Sequence, residues 1–112
     1  MLKSHYRLKK GTDFRKVYNK GNSIAGRHMV LYWLNNDNSQ YCQAGFSVSK
    51  KVGKAVVRNK YKRLLKASLR SYLDKLVGKN IIIIARPRII SADFKQIEGE
   101  MKYLLRKAKL IK

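Results

Sequence analysis

Residues 41–85 read "YCQAGFSVSKKVGKAVVRNKYKRLLKASLRSYLDKLVGKNIIIIA", and their pattern predicts a strand, a long helix and a second strand. The helix is expected to run from about Lys54 to Leu76, and "VGKN" follows it as the turn. The run "IIIIA", residues 81–85, is apolar at every position, which is typical of a strand covered on both faces. A strand–helix–strand unit that closes onto one sheet predicts an α/β or α+β sandwich.

The first strand of this unit has two unlike faces, because its residue types alternate with the period of a strand. The apolar face carries Cys42, Ala44, Phe46 and Val48. The other face is small and polar, includes Ser47 and Ser49, and is suited to water or a ligand. Cys42 is the only cysteine, so no internal disulfide can form. We therefore expect a cytoplasmic protein in which this thiol is a small core residue.

The sequence on either side of this unit predicts further elements and no boundary between domains. Residues 11–21, "GTDFRKVYNKG", carry residues typical of a helix start at one end and of a helix stop at the other. Residues 28–35, "HMVLYWLN", are rich in β-branched and aromatic side chains and predict a strand. Apolar residues at helical spacing predict a last helix that begins near Ser91, which can serve as its N-cap. Residues 1–112 are thus expected to form one domain, in the order helix, two or three strands, helix, strand, helix.

The charge of the chain predicts a polyanionic partner. Lys and Arg number 27 against 6 Asp and Glu, which gives a formal net charge of +21. Two polyanions fit, nucleic acid and an anionic membrane surface. The longest apolar run, residues 81–85, is far shorter than the ~20 residues that span a bilayer. Because the charge is spread over the whole chain, nucleic acid is favoured and no membrane partner is expected.

The predicted long helix concentrates this charge on one side. No carboxylate occurs between Asp37 and Asp74. A step of 100° per residue places six polar side chains in an arc of roughly 140°. These are Arg58, Asn59, Lys62, Arg63, Lys66 and Arg70. A plain solvated face usually carries interspersed carboxylates as partners, so their absence here favours binding to nucleic-acid phosphates.

Three aromatic residues suggest a surface for unpaired bases. Phe14 and Tyr18 share one face of the first helix, and Tyr32 lies on a strand. Aromatic side chains stack on bases in proteins that bind single-stranded nucleic acid. Aromatic residues at helical spacing are more often part of a core, and for Phe14 or Tyr18 taken alone that interpretation is favoured.

The sequence predicts no catalytic residue and no metal site. Its six carboxylates include no close pair of the kind that holds Mg²⁺ in two-metal phosphodiester cleavage. His5 and His28 have no Cys or carboxylate neighbours at metal-ligand spacing. A free-standing nuclease that uses His5 or His28 as acid and base stays open as an alternative, because distant residues can meet in a fold.

Residues 45–70, "GFSVSKKVGKAVVRNKYKRLLKASLR", closely resemble the signature of the bacterial ribonuclease P protein component. The likeness extends to "LKKGTDFRKVY" (8–18), "VLYWL" (30–34) and "NIIIIARP" (80–87), in the order and spacing of that family. It covers nearly the whole chain. The segment Ser-Val-Ser-Lys-Lys-Val-Gly followed by Ala-Val-x-Arg-Asn is far more specific than a generic basic helix.

The resemblance implies a fold, a function and two partners. The fold is α+β, an α/β sandwich of the ribosomal-protein S5 domain-2-like type in the order α-β-β-β-α-β-α. Its β-α-β crossover has the unusual left hand, where pattern reasoning expects the right. The implied function is to bind the ribonuclease P catalytic RNA, in a 1:1 complex, and the 5′ leader of precursor tRNA. The RNA is expected to perform the cleavage with Mg²⁺ that it mainly holds itself. The alternative is a ribosomal or other structural RNA-binding protein.

The resemblance also assigns residues to two surfaces. The expected leader-binding cleft comprises Phe14, Tyr18, Tyr32, Ser47 and Ser49. The expected RNA-binding basic helix and its approach comprise Lys50, Lys51, Lys54, Arg58, Asn59, Lys60, Lys62, Arg63 and Lys66. Lys60 and Lys66 depart from the family, which often has Arg at these places. Lysine keeps the positive charge there but not the forked geometry of a guanidinium.

Overall fold

The computed structural model describes residues 6–8, 11–37 and 39–112. It confirms the α-β-β-β-α-β-α order. The elements are α1 (Gly11–Lys20), β1 (Asn22–Ala25), β2 (Met29–Asn35), β3 (Gln43–Val48), α2 (Ala55–Arg70), β4 (Lys79–Ala85) and α3 (Phe94–Lys107). Short 3₁₀ helices at Leu73–Lys75 and Pro87–Ser91 lie before and after β4. No helix in these ranges has the length and apolar character needed to cross a membrane.

The four strands form one sheet in the order β1-β2-β4-β3. β2 pairs antiparallel with β1 and with β4, whereas β3 pairs parallel with β4. The strand–helix–strand unit predicted for residues 41–85 thus places its two strands side by side. The register aligns Tyr32, Ile82 and Gly45 in one row across β2, β4 and β3. The hand of the crossover stays a prediction of the family resemblance.

Helices cover the two faces of the sheet unequally. α2 and α3 pack on one face and form the main core, which includes the fully buried Leu31, Ile81 and Ile83. α1 packs on the other face, where Val17 and Ile82 form a smaller buried cluster. The all-apolar strand predicted from "IIIIA" is therefore covered on both sides along most of its length.

Cys42 lies in the main core, as the alternation of β3 predicted. Burial raises the pKa of its thiol to about 12, so the reactive thiolate is absent at neutral pH. The side chain acts as a small hydrophobic group.

The end of the long helix differs from the prediction. α2 ends at Arg70 with Ser71 as its C-cap, six residues before the expected end at Leu76. On a continued helix, Leu73 and Leu76 would point toward the basic side of α2. The turn after Arg70 instead brings both leucines into the main core, where they are buried. Core burial of two leucines thus overrides helical propensity at this point.

The start of the last helix also differs by two residues from the prediction. Asp93, not Ser91, is the N-cap of α3. Asp93 Oδ1 accepts the Gln96 N–H at 2.8 Å, and Gln96 Oε1 accepts the Asp93 N–H at 3.0 Å, which completes a capping box. Ser91 ends the preceding 3₁₀ helix, where its hydroxyl donates to the Arg88 carbonyl at 2.8 Å.

Candidate nucleic-acid interface

The small face of β3 receives an aromatic ring from α1. Phe14 lies directly on Gly45, so close that a Cβ added to Gly45 would overlap the ring. Phe14 is half-buried and packs against the smaller core cluster, so one part of it serves the core and another stays accessible. Sequence reasoning did not single out Gly45. A glycine inside a strand, which often marks a close approach of another group, was the available signal.

Tyr18 and Tyr32 form the second aromatic contact on this face. Their rings meet edge to face, with centroids 5.0 Å apart and an interplanar angle of 86°. Tyr18 is 39% exposed and Tyr32 is half-buried, so neither is a fully buried core residue. Burial, and then the neighbouring Tyr32, raise the pKa of the Tyr18 hydroxyl, which therefore stays protonated and able to donate.

Beyond α1 the sheet surface is open. Val30, Ile84 and Ser47 form the row next to Tyr32, Ile82 and Gly45, and all three are half-buried. Ser49 follows β3 and is exposed. The structure thus places the five residues predicted for the cleft on or beside one face of the sheet. The open part of this face is apolar at Val30 and Ile84 and carries the hydroxyl of Ser47 on the edge strand β3. Their role in binding a leader stays a prediction.

A cavity of about 160 Å³ joins this aromatic surface to the basic helix. Its lining includes the aromatic residues Phe14 and Phe46, the backbone at Gly45, and the cations Arg7, Lys62 and Lys66. Burial, and then the positive charges of Arg7 and Lys62, lower the pKa of Lys66. Three cations that repel one another beside an aromatic ring form a site that a bound anion would stabilise.

Arg7 was not among the residues predicted for the site. A parallel bridge between Arg7 and Ala44, and a hydrogen bond of 3.0 Å from the Leu8 N–H to the Ala44 carbonyl, hold this segment along β3. The sequence offered only one more cation in a basic N-terminal segment, with nothing to indicate that it reaches the cavity.

Three more residues predicted for the basic helix lie on the solvent side of α2: Arg58, Asn59 and Arg63. Asn59 and Arg63 are exposed, and Arg58 is half-buried with its Nε atom enclosed and without a hydrogen-bond partner among the described residues. Farther along the helix, Arg63, Lys66 and Arg70 line a recess of about 260 Å³. In the described parts of the chain, no Asp or Glu forms an ion pair with these side chains. The unbalanced charge that the sequence predicted is therefore present on the folded surface.

The remaining predicted cations lie apart from the cavity. Lys60 has its Nζ 5.6 Å from the centroid of the Tyr61 ring, whose hydroxyl donates to the Ile90 carbonyl at 3.3 Å. Lys60 is therefore on the side of α2 toward the second 3₁₀ helix, about 160° around the axis from Lys62. The exposed residues Lys50, Lys51 and Lys54 lie in the connection between β3 and α2. Their contacts with RNA, like those of the whole set, stay predictions.

His28 occupies a structural site with a carboxylate that sequence reasoning did not pair with it. The His28 N–H faces both oxygens of Glu100, at 2.9 and 3.2 Å, and the ring Nδ1 lies 3.0 Å from Glu100 Oε1. The two residues are 72 positions apart, so no local pattern indicated this contact. His5, the other histidine of the nuclease alternative, lies outside the described residues. Within the described ranges, no three His, Cys, Asp or Glu side chains form a group that could hold a metal ion.

Glu100→Ala is expected to lower the free energy of unfolding by about 1–3 kcal/mol, because it leaves the buried N–H of His28 without its acceptor. Glu100→Gln keeps an acceptor oxygen and is expected to lose less. Urea denaturation of both variants measures the difference. Equal losses would contradict this role of Glu100, because the acceptor oxygen that glutamine keeps would then contribute nothing.

Comparisons with known proteins agree with the resemblance seen in the sequence. The family model described as Ribonuclease P matches residues 2–109. The ribonuclease P protein component of Alkaliphilus metalliredigens is 45% identical over 111 residues, which cover 98% of this chain and 99% of the relative. That of Staphylococcus aureus is 38% identical over 110 residues, covering 98% and 94%.

Solved structures give the same result for the fold. A structure of the Staphylococcus aureus RNase P protein matches with a TM-score of 0.88 at 38% identity, over 96% of this chain and 98% of that one. The RNase P protein of Thermotoga maritima matches with a TM-score of 0.79 at 27% identity, over 90% and 96%.

Proposed function

Because the chain belongs to the ribonuclease P protein family, we propose that it is the protein subunit of a ribonucleoprotein that removes the 5′ leader from precursor tRNA. In this proposal the protein binds the single-stranded leader and the catalytic RNA, and the RNA performs the hydrolysis. The observation that carries the proposal is the cavity in which Phe14 and Gly45 meet Lys62 and Lys66. It combines an aromatic face for bases with cations for the phosphates that connect them.

The leader is proposed to lie across the sheet face that α1 leaves open. Unpaired bases expose their π faces, so they can stack on Phe14 and Tyr32, whereas paired bases cannot. Ser47 offers a hydroxyl beside this floor, and Lys62 and Lys66 offer positive charge at its rim. This arrangement favours a single strand and requires no particular sequence.

The solvent side of α2 is proposed to contact the catalytic RNA. Arg58 and Arg63 suit forked contacts with phosphate, and Asn59 suits hydrogen bonds with sugars or base edges. The lysines of the connection before α2 extend this surface as point charges. One protein per catalytic RNA is proposed, and the complex is placed in the cytoplasm, in keeping with the single, buried Cys42.

Mg²⁺ is proposed to be held mainly by the catalytic RNA, where it would activate the attacking water and stabilise charge on the phosphate. The described residues fit a metal-holding role poorly, because they include no group of three or more ligating side chains. The part of this chain in the reaction is to bind and orient the substrate.

A precursor-tRNA cleavage assay tests the proposed function. It compares the protein alone, the catalytic RNA alone at low Mg²⁺ and the two together. We expect cleavage only when both are present. Cleavage by the purified protein without RNA would overturn the proposal in favour of a free-standing nuclease. If the protein leaves cleavage by the RNA unchanged across Mg²⁺ concentrations, a ribosomal or other structural role in RNA binding replaces it.

Phe14→Ala and Tyr32→Ala are expected to weaken binding of precursor tRNA with a long leader and to leave leaderless tRNA almost unaffected. Each lost base–aromatic stack is expected to cost about 1–3 kcal/mol of binding free energy. Equilibrium binding of the two substrates to the reconstituted holoenzyme measures the difference. Equal losses on both substrates would show that these rings do not contact the leader.

Arg58→Ala and Arg63→Ala are expected to make RNA binding less dependent on salt. The slope of log K against log[salt] should decrease in magnitude by roughly 0.7–0.9 for each lost phosphate contact. Titration of the catalytic RNA at several salt concentrations measures the slope. An unchanged slope would assign these side chains to a solvated surface without an RNA contact.

A further inference from the structure

Three connections lie together at one end of the sheet and carry positive charge. The register pairs Ala85 at the end of β4 with Met29 at the start of β2 and with Val48 at the end of β3. The connections that adjoin these residues therefore share one end of the molecule. They contribute one carboxylate, that of Asp93, and six cations: Arg27, Lys50, Lys51, Lys54, Arg86 and Arg88. We refer to these six residues as the cationic end.

A cavity of about 430 Å³ opens at the cationic end. It is lined by Arg27, His28, Arg88, Ser91 and Gln96, none of which is acidic. Gln96 belongs to α3, which packs on the face of the sheet opposite α1. The cavity is thus separate from the predicted leader cleft, which lies on the α1 face.

The turn that presents Arg27 is tied to three other parts of the fold. Arg86 donates from Nη1 to the Gly26 carbonyl at 2.8 Å and from its N–H to the His28 carbonyl at 2.9 Å. The Gly26 N–H donates to the Met29 carbonyl at 2.7 Å, and Glu100 accepts the His28 N–H. The backbone on both sides of Arg27 is therefore fixed against β4 and α3, which orders one wall of the cavity before any ligand binds.

The polar groups of the cavity are positioned to donate hydrogen bonds. In the parts of the chain that the structure describes, no hydrogen bond engages the guanidinium of Arg27 or of Arg88. The Oε1 atom of Gln96 accepts a hydrogen bond from the Asp93 N–H. The side-chain NH₂ group of Gln96 is therefore left to donate hydrogen bonds to a ligand. The nearby carboxylate of Asp93 is engaged with the Gln96 N–H. Two free guanidinium forks and an amide donor match the oxygens of a phosphate group.

We propose that this cavity binds a backbone phosphate of the catalytic RNA, at a second anchor point besides the basic helix. The inference rests on the proposed function. The catalytic RNA is favoured over the leader because the leader cleft lies on the other face of the sheet. The cavity is also linked to the RNA-facing helix, since Tyr61 of α2 bonds to Ile90 in the 3₁₀ helix that carries Arg88.

The test is the salt dependence of binding between this protein and its catalytic RNA. The variant Arg27→Ala/Arg88→Ala is compared with Lys20→Ala/Lys75→Ala, which removes the same charge from exposed residues at the other end of the sheet. The arginine variant is expected to decrease the magnitude of the slope of log K against log[salt] by roughly 0.7–0.9 for one lost phosphate contact. The lysine variant is expected to keep the wild-type slope. Thermal unfolding confirms that both variants are folded.

The outcomes separate this inference from the proposed function. If wild-type protein binds the RNA and supports cleavage but both double variants have its slope, the phosphate site is overturned and the proposed function stands. If the arginine variant loses affinity only for substrates with long leaders, the phosphate belongs to the leader, which also overturns the inference.

Arg27→Lys/Arg88→Lys is expected to keep the slope but bind more weakly, because lysine lacks the fork. Wild-type affinity in this variant would contradict forked contacts. A wild-type protein that neither binds the RNA nor supports cleavage would refute the proposed function itself.

Discussion

Gly45→Val is expected to remove most of the affinity for long leaders while the protein stays folded. Any side chain at this position would occupy the space of the Phe14 ring. Phe14 is half-buried, so it can rotate outward, and the unfolding free energy should fall by about 1–3 kcal/mol, as in other overpacked sites. The displaced ring would no longer lie beside Lys62 and Lys66. Leader binding should therefore lose the stacking contribution of about 1–3 kcal/mol that Phe14 is proposed to supply.

The double variant Phe14→Ala/Gly45→Val provides the control. Valine fills part of the space that the ring vacates, so the double variant should be more stable than the sum of the two single changes predicts. Its affinity for long leaders should stay low, because the ring is gone. Binding of leaderless tRNA should be unchanged in all three variants. Wild-type affinity for long leaders in Gly45→Val would show that the position of Phe14 on β3 does not matter for binding.

Most of the order of elements and the sheet pairing of the central unit were predictable because they follow from local patterns. The patterns left two or three strands before α2, and the family resemblance implied three. Alternation in β3, the basic and apolar sides of α2 and the apolar run of β4 each specify one element. A helix of this length between two strands then leaves few arrangements other than a parallel pair. The charge on α2 was predictable for the same reason, since a helical projection depends only on spacing.

The ends of the helices were less predictable, because tertiary contacts decide them. Leucine is a good helix former, and nothing local indicates that Leu73 and Leu76 turn into the core. Ser91 and Asp93 are both suitable N-caps. Nothing in the local sequence indicates the 3₁₀ helix that includes Ser91 and so leaves Asp93 as the N-cap. The local sequence pattern likewise does not indicate the hand of the β3–α2–β4 crossover, which is predicted from the family resemblance alone.

The parts of the site that sequence reasoning missed are contacts between residues far apart in the chain. Arg7 reaches the cavity because its segment pairs with β3, and Glu100 reaches His28 because α3 packs beneath the β1–β2 turn. Gly45 differs, because its strand position alone was a usable signal of close approach. The predicted cations and aromatics were found on the surface, but only the fold shows that Lys62 and Lys66 face Phe14 and that Lys60 does not.

Ile82→Ala is expected to lower the free energy of unfolding by about 2–5 kcal/mol, the range for large-to-small changes at fully buried positions. Ile82 packs against Val17 of α1. Truncation therefore leaves a cavity between the sheet and the helix that neither can fill by a small shift. Ile84 is the matched control, because it has the same side chain on the same face of the same strand. It is half-buried, and Ile84→Ala should cost roughly half as much.

The contrast between these two positions tests whether the leader cleft is open. If α1 covers Ile82 and leaves Ile84 accessible, Ile84→Ala should weaken binding of long leaders more than its loss of stability explains, because Ile84 lies on the open part of the sheet face where the leader is proposed to lie. Ile82→Ala, corrected for the unfolded fraction, should bind leaders normally. Urea denaturation and leader-dependent binding measure the two effects separately. Equal stability losses at both positions would mean that the floor beside Ser47 is covered, and a single strand could not lie there.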